Sequence, residues 1–359
     1  MTEELFITRY PAPTAFGVGL IALDVVMTPN NSEKMWAGGS CGNVLTVLNW
    51  LGWQSYPIAH LRNDKPAEII HRDLNYWEIE LDFLVRNETG RTPIIIEKLK
   101  DNGIHKFMFK CPIRGTNLPR YKPISVDDVD SIVLQKEFDP SVFYFDRVSK
   151  SAIALAREFA DKGTIIVFEP CSMRNERLFR EALQICHILK YSDQQNKVLE
   201  KINSRAVPLL EIETLGSKGL RYRANLDSVS SEWKPMKAYK LERVVDTAGA
   251  GDWCTAGIIH SLCREGLDNF RKLSCNRVEY GLRVGQALAA FNCMFEGARG
   301  GMYLLNRNIF ESIINDILSN ENSIDIERVF DVIERNQLAS LNSKIGKISY
   351  TNLVKHLEE

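Results

Sequence analysis

The sequence lacks any pair of cysteines at redox or metal-ligand spacing. Its eight cysteines, Cys41, Cys111, Cys171, Cys186, Cys254, Cys263, Cys275 and Cys293, are scattered without a CxxC. That argues against a disulfide framework and for a reducing compartment, so a cytoplasmic location is expected. Cys111-Pro112-Ile113-Arg114-Gly115 has Arg114 where a zinc half-site would carry its second thiolate, and it reads as a turn with a buried cysteine. The histidines follow no ligand pattern either. No apolar run is long enough to span a bilayer, and no basic segment followed by an apolar core opens the chain. Neither an anchor nor a secretory leader is expected. An excess of one charge is also missing. With 45 basic residues against 46 acidic ones and no long Lys/Arg run, neither nucleic acid nor an anionic membrane is the main partner. No GxGxxG follows the first apolar strand, where Gly17 and Gly19 do not make one, so a Rossmann dehydrogenase is excluded. Internal repeats and low-complexity segments are absent.

What is present is an alternation of short apolar strands with amphipathic helices, the pattern of a mainly parallel sheet covered on both faces. Phe16 to Val25 reads as a first strand, and Asn43 to Leu51 as a helix with Val44, Leu45, Val47, Leu48 and Leu51 on its apolar face. Val142 to Phe145 reads as a strand and Ser151 to Lys162 as a helix. Thr164 to Phe168 is a continuous β-branched run suited to a central parallel strand. Ile185 to Leu189 and Val207 to Ile212 follow as strands. The rhythm breaks between about 86 and 121. There, strand-like Thr92 to Lys100 and Ile104 to Lys110 flank Asp101-Asn102-Gly103, a hairpin turn of the Asn-Gly kind. A hairpin inserted into an α/β chain packs outside the main sheet, and a small lid is the natural reading. Beyond Leu305 the chain is polar and helix-patterned. Ile309, Ile313, Ile314 and Ile317 mark one helix, and Val329, Phe330 and Ile333 another.

The segment with the most chemistry is Asp246-Thr247-Ala248-Gly249-Ala250-Gly251-Asp252, between strand-like Tyr239 to Val245 and the apolar helix Trp253 to Cys263. Glycines at such a turn allow close approach of a ligand to the backbone, and a helix start adds unpaired N–H donors and partial positive charge. That assembly suits the charge on a transferring phosphoryl group, with Asp252 placed to take a proton from an attacking hydroxyl. A lone Asp there would read as a helix cap. Capping alone does not account for the glycines, the second Asp and the Thr.

These residues are similar to the C-terminal signature of the PfkB (ribokinase-like) family of small-molecule kinases. Three further segments resemble the family in its order: Gly19 with Asp24, Gly38-Gly39 with Asn43 and Leu51-Gly52, and Thr214-Leu215-Gly216-Ser217-Lys218-Gly219. The resemblance covers roughly residues 16 to 300. It implies a three-layer ribokinase-like α/β fold with a mainly parallel sheet and a small β lid, drawn from about 24–37 and 89–121 of a kinase domain 1–305. Residues 306–359 would be a helical extension. It further implies that Asp252 is the catalytic base and that the amides of Gly249, Ala250 and Gly251 form an anion hole. Asp24, Gly39 and Asn43 would hold the acceptor, and Thr214, Gly216, Ser217, Gly219 and Thr247 the nucleotide. ATP with Mg²⁺ and a sugar or nucleoside are the implied ligands, and the exposed edge of the lid hairpin could pair with its twin in a homodimer. Three positions depart from the family. Ser192-Asp193-Gln194-Gln195 stands where N-x-x-E organises Mg²⁺, Glu169-Pro170 replaces Asp-Pro, and Gln286 replaces an Asn near the adenine. These changes motivate a competing reading as a non-catalytic sugar or nucleotide binder. Glu97 and Arg299 stay outside the candidate site, Arg299 as the surface residue of a glycine-rich turn, and Cys254 reads as core.

Overall fold

The computed structural model describes residues 5–6, 11–27, 33–99, 105–134, 139–171, 175–195, 207–226 and 232–319. Its frame is a nine-stranded sheet ordered β13-β12-β11-β10-β9-β8-β1-β4-β5. The strands are β1 (Thr14–Val18), β4 (Gln54–Arg62), β5 (Leu84–Asn87), β8 (Val142–Phe145), β9 (Ile165–Phe168), β10 (Ile188–Ser192), β11 (Leu210–Thr214), β12 (Leu220–Ala224) and β13 (Lys234–Met236). Seven neighbours run parallel, and β12 and β13 add an antiparallel edge. β8 and β9 are buried along their whole length, as expected of parallel strands covered on both faces.

A second sheet, ordered β3-β2-β6-β7, joins β2 (Ala22–Met27), β3 (Glu33–Gly38), β6 (Ile94–Leu99) and β7 (His105–Met108). The expected hairpin is therefore β6 and β7, paired antiparallel outside the main sheet; its turn at 101–103 lies outside the described residues. The strand expected over Phe16–Val25 is instead two strands in two sheets. The break falls at Gly19 to Ile21 because the Leu20 N–H turns aside to the Asp146 carboxylate at 2.9 Å. A Cβ on Gly19 would lie 1.7 Å from Asp146 Oδ1, so only glycine admits that carboxylate. Asp24 consequently belongs to the small sheet, not to the end of a main-sheet strand.

Ten helices cover the frame among the described residues: α1 (Ser40–Trp50), α2 (Lys65–Tyr76), α3 (Asp127–Leu134), α4 (Lys150–Asp161), α5 (Glu176–Ile185), α6 (Ala250–Leu262), α7 (Gly266–Arg271), α8 (Cys275–Asn292), α9 (Gly300–Leu304) and α10 (Arg307–Ser319). One layer packs α1, α6, α8 and α10 through Trp50, Trp253, Phe291 and Phe310, with Trp253 and Phe291 centroids 5.4 Å apart. The other layer packs α4 and α5 against Phe143, Phe145 and Phe168. Helix α10, the first of the two expected beyond Leu305, buries Phe310, Ile314 and Ile317 completely; the second lies outside the described residues. Ile185 ends α5 rather than opening a strand, and β10 begins at Ile188. Tyr239 to Val245 forms no strand: its exposed residues (Val244 is 44% exposed) have no sheet face to bury, and Val245 N–H bonds the Cys293 carbonyl instead.

Candidate active site

From β1 the chain crosses to β4 and β5 on one side and then returns to β8 on the other. Such a reversal leaves a crevice beyond the carboxyl ends of the strands, where open α/β sheets bind ligands. Five chemically active groups stand at those ends or face them: Asp146 after β8, Glu169 after β9, Lys190 and Ser192 on β10, and Thr214 closing β11. The N-termini of α1 and α6 face the same crevice.

Helix α6 begins at Gly249, whose φ of 73° is left-handed and whose Cβ, if it had one, would lie 2.6 Å from the Ala298 carbonyl oxygen. No side chain caps the helix. Its first-turn N–H groups, including those of Gly251 and Asp252, therefore have no acceptor within the helix and carry the positive end of the dipole. Asp252 is the third helical residue, not the cap. Its Oδ2 accepts a hydrogen bond from Asn43 Nδ2 at 2.7 Å, joining α6 to α1. Trp253 anchors the turn from behind, its indole N–H donating to the Ala298 carbonyl at 2.8 Å.

Burial pushes the Asp252 carboxyl up to about 8; the charges of Glu169 and Asp146 add to the rise, and Asn43 and Lys190 oppose it. Lys190 is itself buried. Its Nζ bonds Glu169 Oε1 at 2.5 Å and the Gly251 carbonyl at 3.2 Å. Glu169 also accepts from Thr255 Oγ1 at 2.5 Å and from the Tyr144 hydroxyl at 3.3 Å. An ion pair thus underlies the glycine turn and ties it to β9 and β10. The pattern of the chain gave no signal for Lys190, which sits mid-strand in an apolar run.

Asp24 lies where the small sheet meets α1 and accepts from the Gly39 N–H, within the field of the Arg299 charge. Burial raises its carboxyl to about 7, and its Oδ1 has no partner among the described residues. Gly39 has a φ of 80° and starts α1. Glu97, on β6, is buried against Asp246, with which it shares a hydrogen bond, and burial raises it to about 9. Asp246 also receives the Ala248 and Gly297 N–H groups. The small sheet is thereby joined to the glycine turn. Arg299 corrects an expectation. It is not a surface residue but fully buried, bonding Asp73 at 2.8 Å and the Ala37 carbonyl, while Asp73 accepts the Ala37 N–H at 2.8 Å. An ion pair between distant segments thus clamps the last peptides of β3.

The Thr214 to Gly219 turn closes β11 onto β12, with Leu215 N–H bonding the Gly219 carbonyl at 2.7 Å. Gly216 and Gly219 both have positive φ, and Thr214 pairs in register with Ser192. Thr247 is exposed beside the glycine turn. Gln286 is buried on α8, with no partner for its Nε2 among the described residues. Cys254 is buried as expected.

The residues at the metal-organising place do not fit a protein-held cation. Gln195 is a neutral amide whose Oε1 accepts the Ser192 N–H at 3.3 Å, and Asp193 is exposed. Among the described residues, no group of three or more His, Cys, Asp or Glu side chains could hold a metal. Nor is any described helix long and apolar enough to cross a membrane.

Known proteins share the fold, and a family model matches most of the chain. Residues 18–302 match the family described as pfkB family carbohydrate kinase. An ATP-dependent ribose-1-phosphate kinase of Halopiger xanaduensis is 24% identical over 280 residues, covering 75% of this chain and 84% of that protein. Ribokinase of Giardia lamblia superposes with a TM-score of 0.66 at 15% identity, over 86% of this chain and 99% of that one. Arabidopsis thaliana ribokinase, solved with ribose and ATP, superposes with a TM-score of 0.63 at 16% identity, over 86% and 99%.

Proposed function

The chain belongs to the pfkB family of carbohydrate kinases, and from that premise we propose that it transfers the γ-phosphoryl group of ATP to a hydroxyl of a small sugar. The observation that carries this reading is the pairing of Asp252 with Asn43 at the uncapped start of α6. A carboxylate there can take the hydroxyl proton as the oxygen attacks, and its raised pKa suits a general base. The Gly249 to Gly251 amides meet the charge that builds on the transferring group. Lys190 holds the Gly251 carbonyl and so fixes the direction of those amides. Asp24, Gly39 and Asn43 orient the acceptor, and Thr214, Gly216, Ser217, Gly219 and Thr247 border the nucleotide. Mg²⁺ enters as the counter-ion of the phosphates, and no step is assigned to a protein-bound metal. Closure of the small sheet excludes water, which would otherwise compete as acceptor.

The eight cysteines are all free thiols, which supports action in the reducing cytoplasm. Phe107 and Phe109, about half exposed on and beside edge strand β7, support pairing of two such sheets in a homodimer. The functional test is ADP release by the purified protein with ATP and Mg²⁺ across pools of sugars and nucleosides. Stimulation by a sugar pool is expected. Stimulation by nucleosides alone would replace sugar with nucleoside, and release that no pool stimulates would refute transfer to a small acceptor.

A further inference from the structure

Away from the crevice, at the edge of the main sheet, a thiol stands between an amine and a carboxylate. Tyr222 on β12 and Lys234 on β13 are register partners, so their side chains share one face of that edge. The face meets the first turn of α8, where Cys275 and Glu279, four residues apart, lie on one side of the helix. Lys234 Nζ donates to Cys275 Sγ at 3.0 Å, and the thiol donates to Glu279 Oε1 at 3.3 Å. The buried Tyr222 hydroxyl donates to the same Oε1 at 2.7 Å.

A plain surface ion pair would join Lys234 to Glu279 directly. Here the sulfur sits between them, nearer to the nitrogen than the carboxylate is, which lies 3.8 Å from Nζ. The roles are those of an activated nucleophile: Glu279 takes the thiol proton, Lys234 faces the negative sulfur, and Tyr222 orients the base. The Tyr222 bond holds the Glu279 carboxyl below its ordinary value, so it is an ionised acceptor at neutral pH. Cys275 is only partly buried, and Lys234 and Glu279 keep 37% and 41% of their side chains exposed, so a small solute reaches the sulfur. By contrast, burial pushes up the thiols of Cys41, Cys186, Cys254, Cys263 and Cys293, which keeps them protonated and inert.

We propose that Cys275 is a site of oxidation by hydrogen peroxide, and that Lys234 closes the oxidised sulfur into a reversible sulfur–nitrogen bridge between β13 and α8. In the first step the thiolate attacks one peroxide oxygen. The S–O bond forms, the O–O bond breaks, and the departing hydroxide leaves as water with the proton that Glu279 had taken. Sulfur gives up two electrons to the peroxide and becomes a sulfenic acid. That sulfur is neutral and no longer holds Lys234 in its charged form, so the amine releases a proton to solvent. In the second step the neutral amine attacks the sulfur. The S–N bond forms, the S–O bond breaks, and hydroxide leaves with an amine proton as water, with no further oxidant consumed. The bridge keeps the sulfur from the irreversible higher acids. A small thiol reverses it by opening the S–N bond to a mixed disulfide, and a second one returns Cys275 to the thiol.

The test treats the reduced full chain with a slight excess of hydrogen peroxide, quenched with catalase. One half is digested without reductant for mass spectrometry, and the other is unfolded by heat. The expected product is a joined pair of peptides carrying Lys234 and Cys275, lighter by two hydrogens than their sum and lost on adding dithiothreitol. Bridging residues 41 positions apart should raise Tm by roughly 5 °C, and dithiothreitol should reverse the rise. Lys234→Arg keeps a cation beside the sulfur but lacks the amine. Its Cys275 should stop at the sulfenic acid, labelled by dimedone several-fold more than in the parent, with no bridge and no rise in Tm. The measurement on the parent needs no variant to fold. The proposal is overturned if peroxide oxidises the exposed Cys171 while Cys275 stays a thiol. It also fails if oxidised Cys275 in the parent is found as a free sulfenic acid, a higher acid or a disulfide, or if Lys234→Arg still forms the bridge.

Discussion

Replacing Lys190 with Met probes the ion pair beneath the glycine turn, because methionine keeps the length of the side chain and removes its charge. Two consequences follow from the geometry. The first concerns stability. Removing one partner of a buried pair typically costs about 3–5 kcal/mol, because the other charge is left uncompensated. Glu169 keeps its bonds to Thr255 and Tyr144 and is 18% exposed, so the low end, about 3 kcal/mol, applies. With an unfolding entropy of about 2.1 cal/mol/K per residue over 359 residues, Tm should fall by roughly 4 °C. The second consequence concerns catalysis. The Lys190 charge lowers the Asp252 pKa from where burial and Glu169 push it. Without that charge the protonated, inactive form of the base is favoured, so the acid limb of kcat/KM, expected near pH 8 in the free enzyme, should move to higher pH. Turnover would fall most at pH 7 and recover in alkaline buffer. Glu169→Gln should move the same limb the opposite way, since it removes a negative neighbour of Asp252. A pH–rate profile of the two variants beside the parent is the assay. An unmoved limb in both variants would show that neither group acts on Asp252.

Other outcomes can be read with the same protein. Arg299→Met should destabilise by about 3–5 kcal/mol, since it leaves the Asp73 carboxylate buried without its cation; denaturant unfolding measures it, and a loss below about 1 kcal/mol would contradict the clamp at Ala37. Glu97 gives a signed pH dependence. Its folded pKa of about 9 lies above its unfolded value, so the folded state binds the extra proton and stability falls as pH rises between about 5 and 9, by up to about 1.4 kcal/mol per unit. Glu97→Gln should flatten that slope in a series of Tm values against pH. Gly249→Ala forces a left-handed φ on a residue with a Cβ and drives it toward the Ala298 carbonyl, so turnover should fall at least tenfold while ATP binding survives.

The parts of the fold that could be read from the chain are those set by neighbours in sequence. β8 and β9 were legible as β-branched and aromatic runs, and α1, α4 and α6 by their apolar faces. The glycine turn was legible because glycines flanked by two Asp and a Thr have few other uses. What escaped depends on partners far away in the chain. The break after β1 is set by Asp146, more than a hundred residues on, which no local pattern around Gly19 announces. Arg299 looked like a surface residue because Asp73 and Ala37, which bury it, lie on α2 and β3. Lys190 sat unnoticed within an apolar strand, its partner Glu169 being visible only once β9 and β10 lie side by side. Tyr239 to Val245 had the composition of a strand, but among the described residues Leu241 makes only an isolated bridge and no ladder extends from it. Of the residues singled out by resemblance, Asn43 lies on α1, Asp252 on α6 and Thr214 to Gly219 in the turn after β11, and among the described residues Asn43 and Asp252 share a bond from side chain to side chain.

The central claim is that Asp252 removes the acceptor proton. The most direct measurement is phosphoryl transfer by Asp252→Asn under saturating ATP and acceptor, with ATP affinity and Tm recorded for the same preparation. The amide preserves shape and can still bond to Asn43, so folding and ATP affinity should hold, and turnover should fall by about 10² to 10⁴-fold, the span of a lost general base. Turnover within a few-fold of the parent, with the protein folded and ATP bound, would contradict the account.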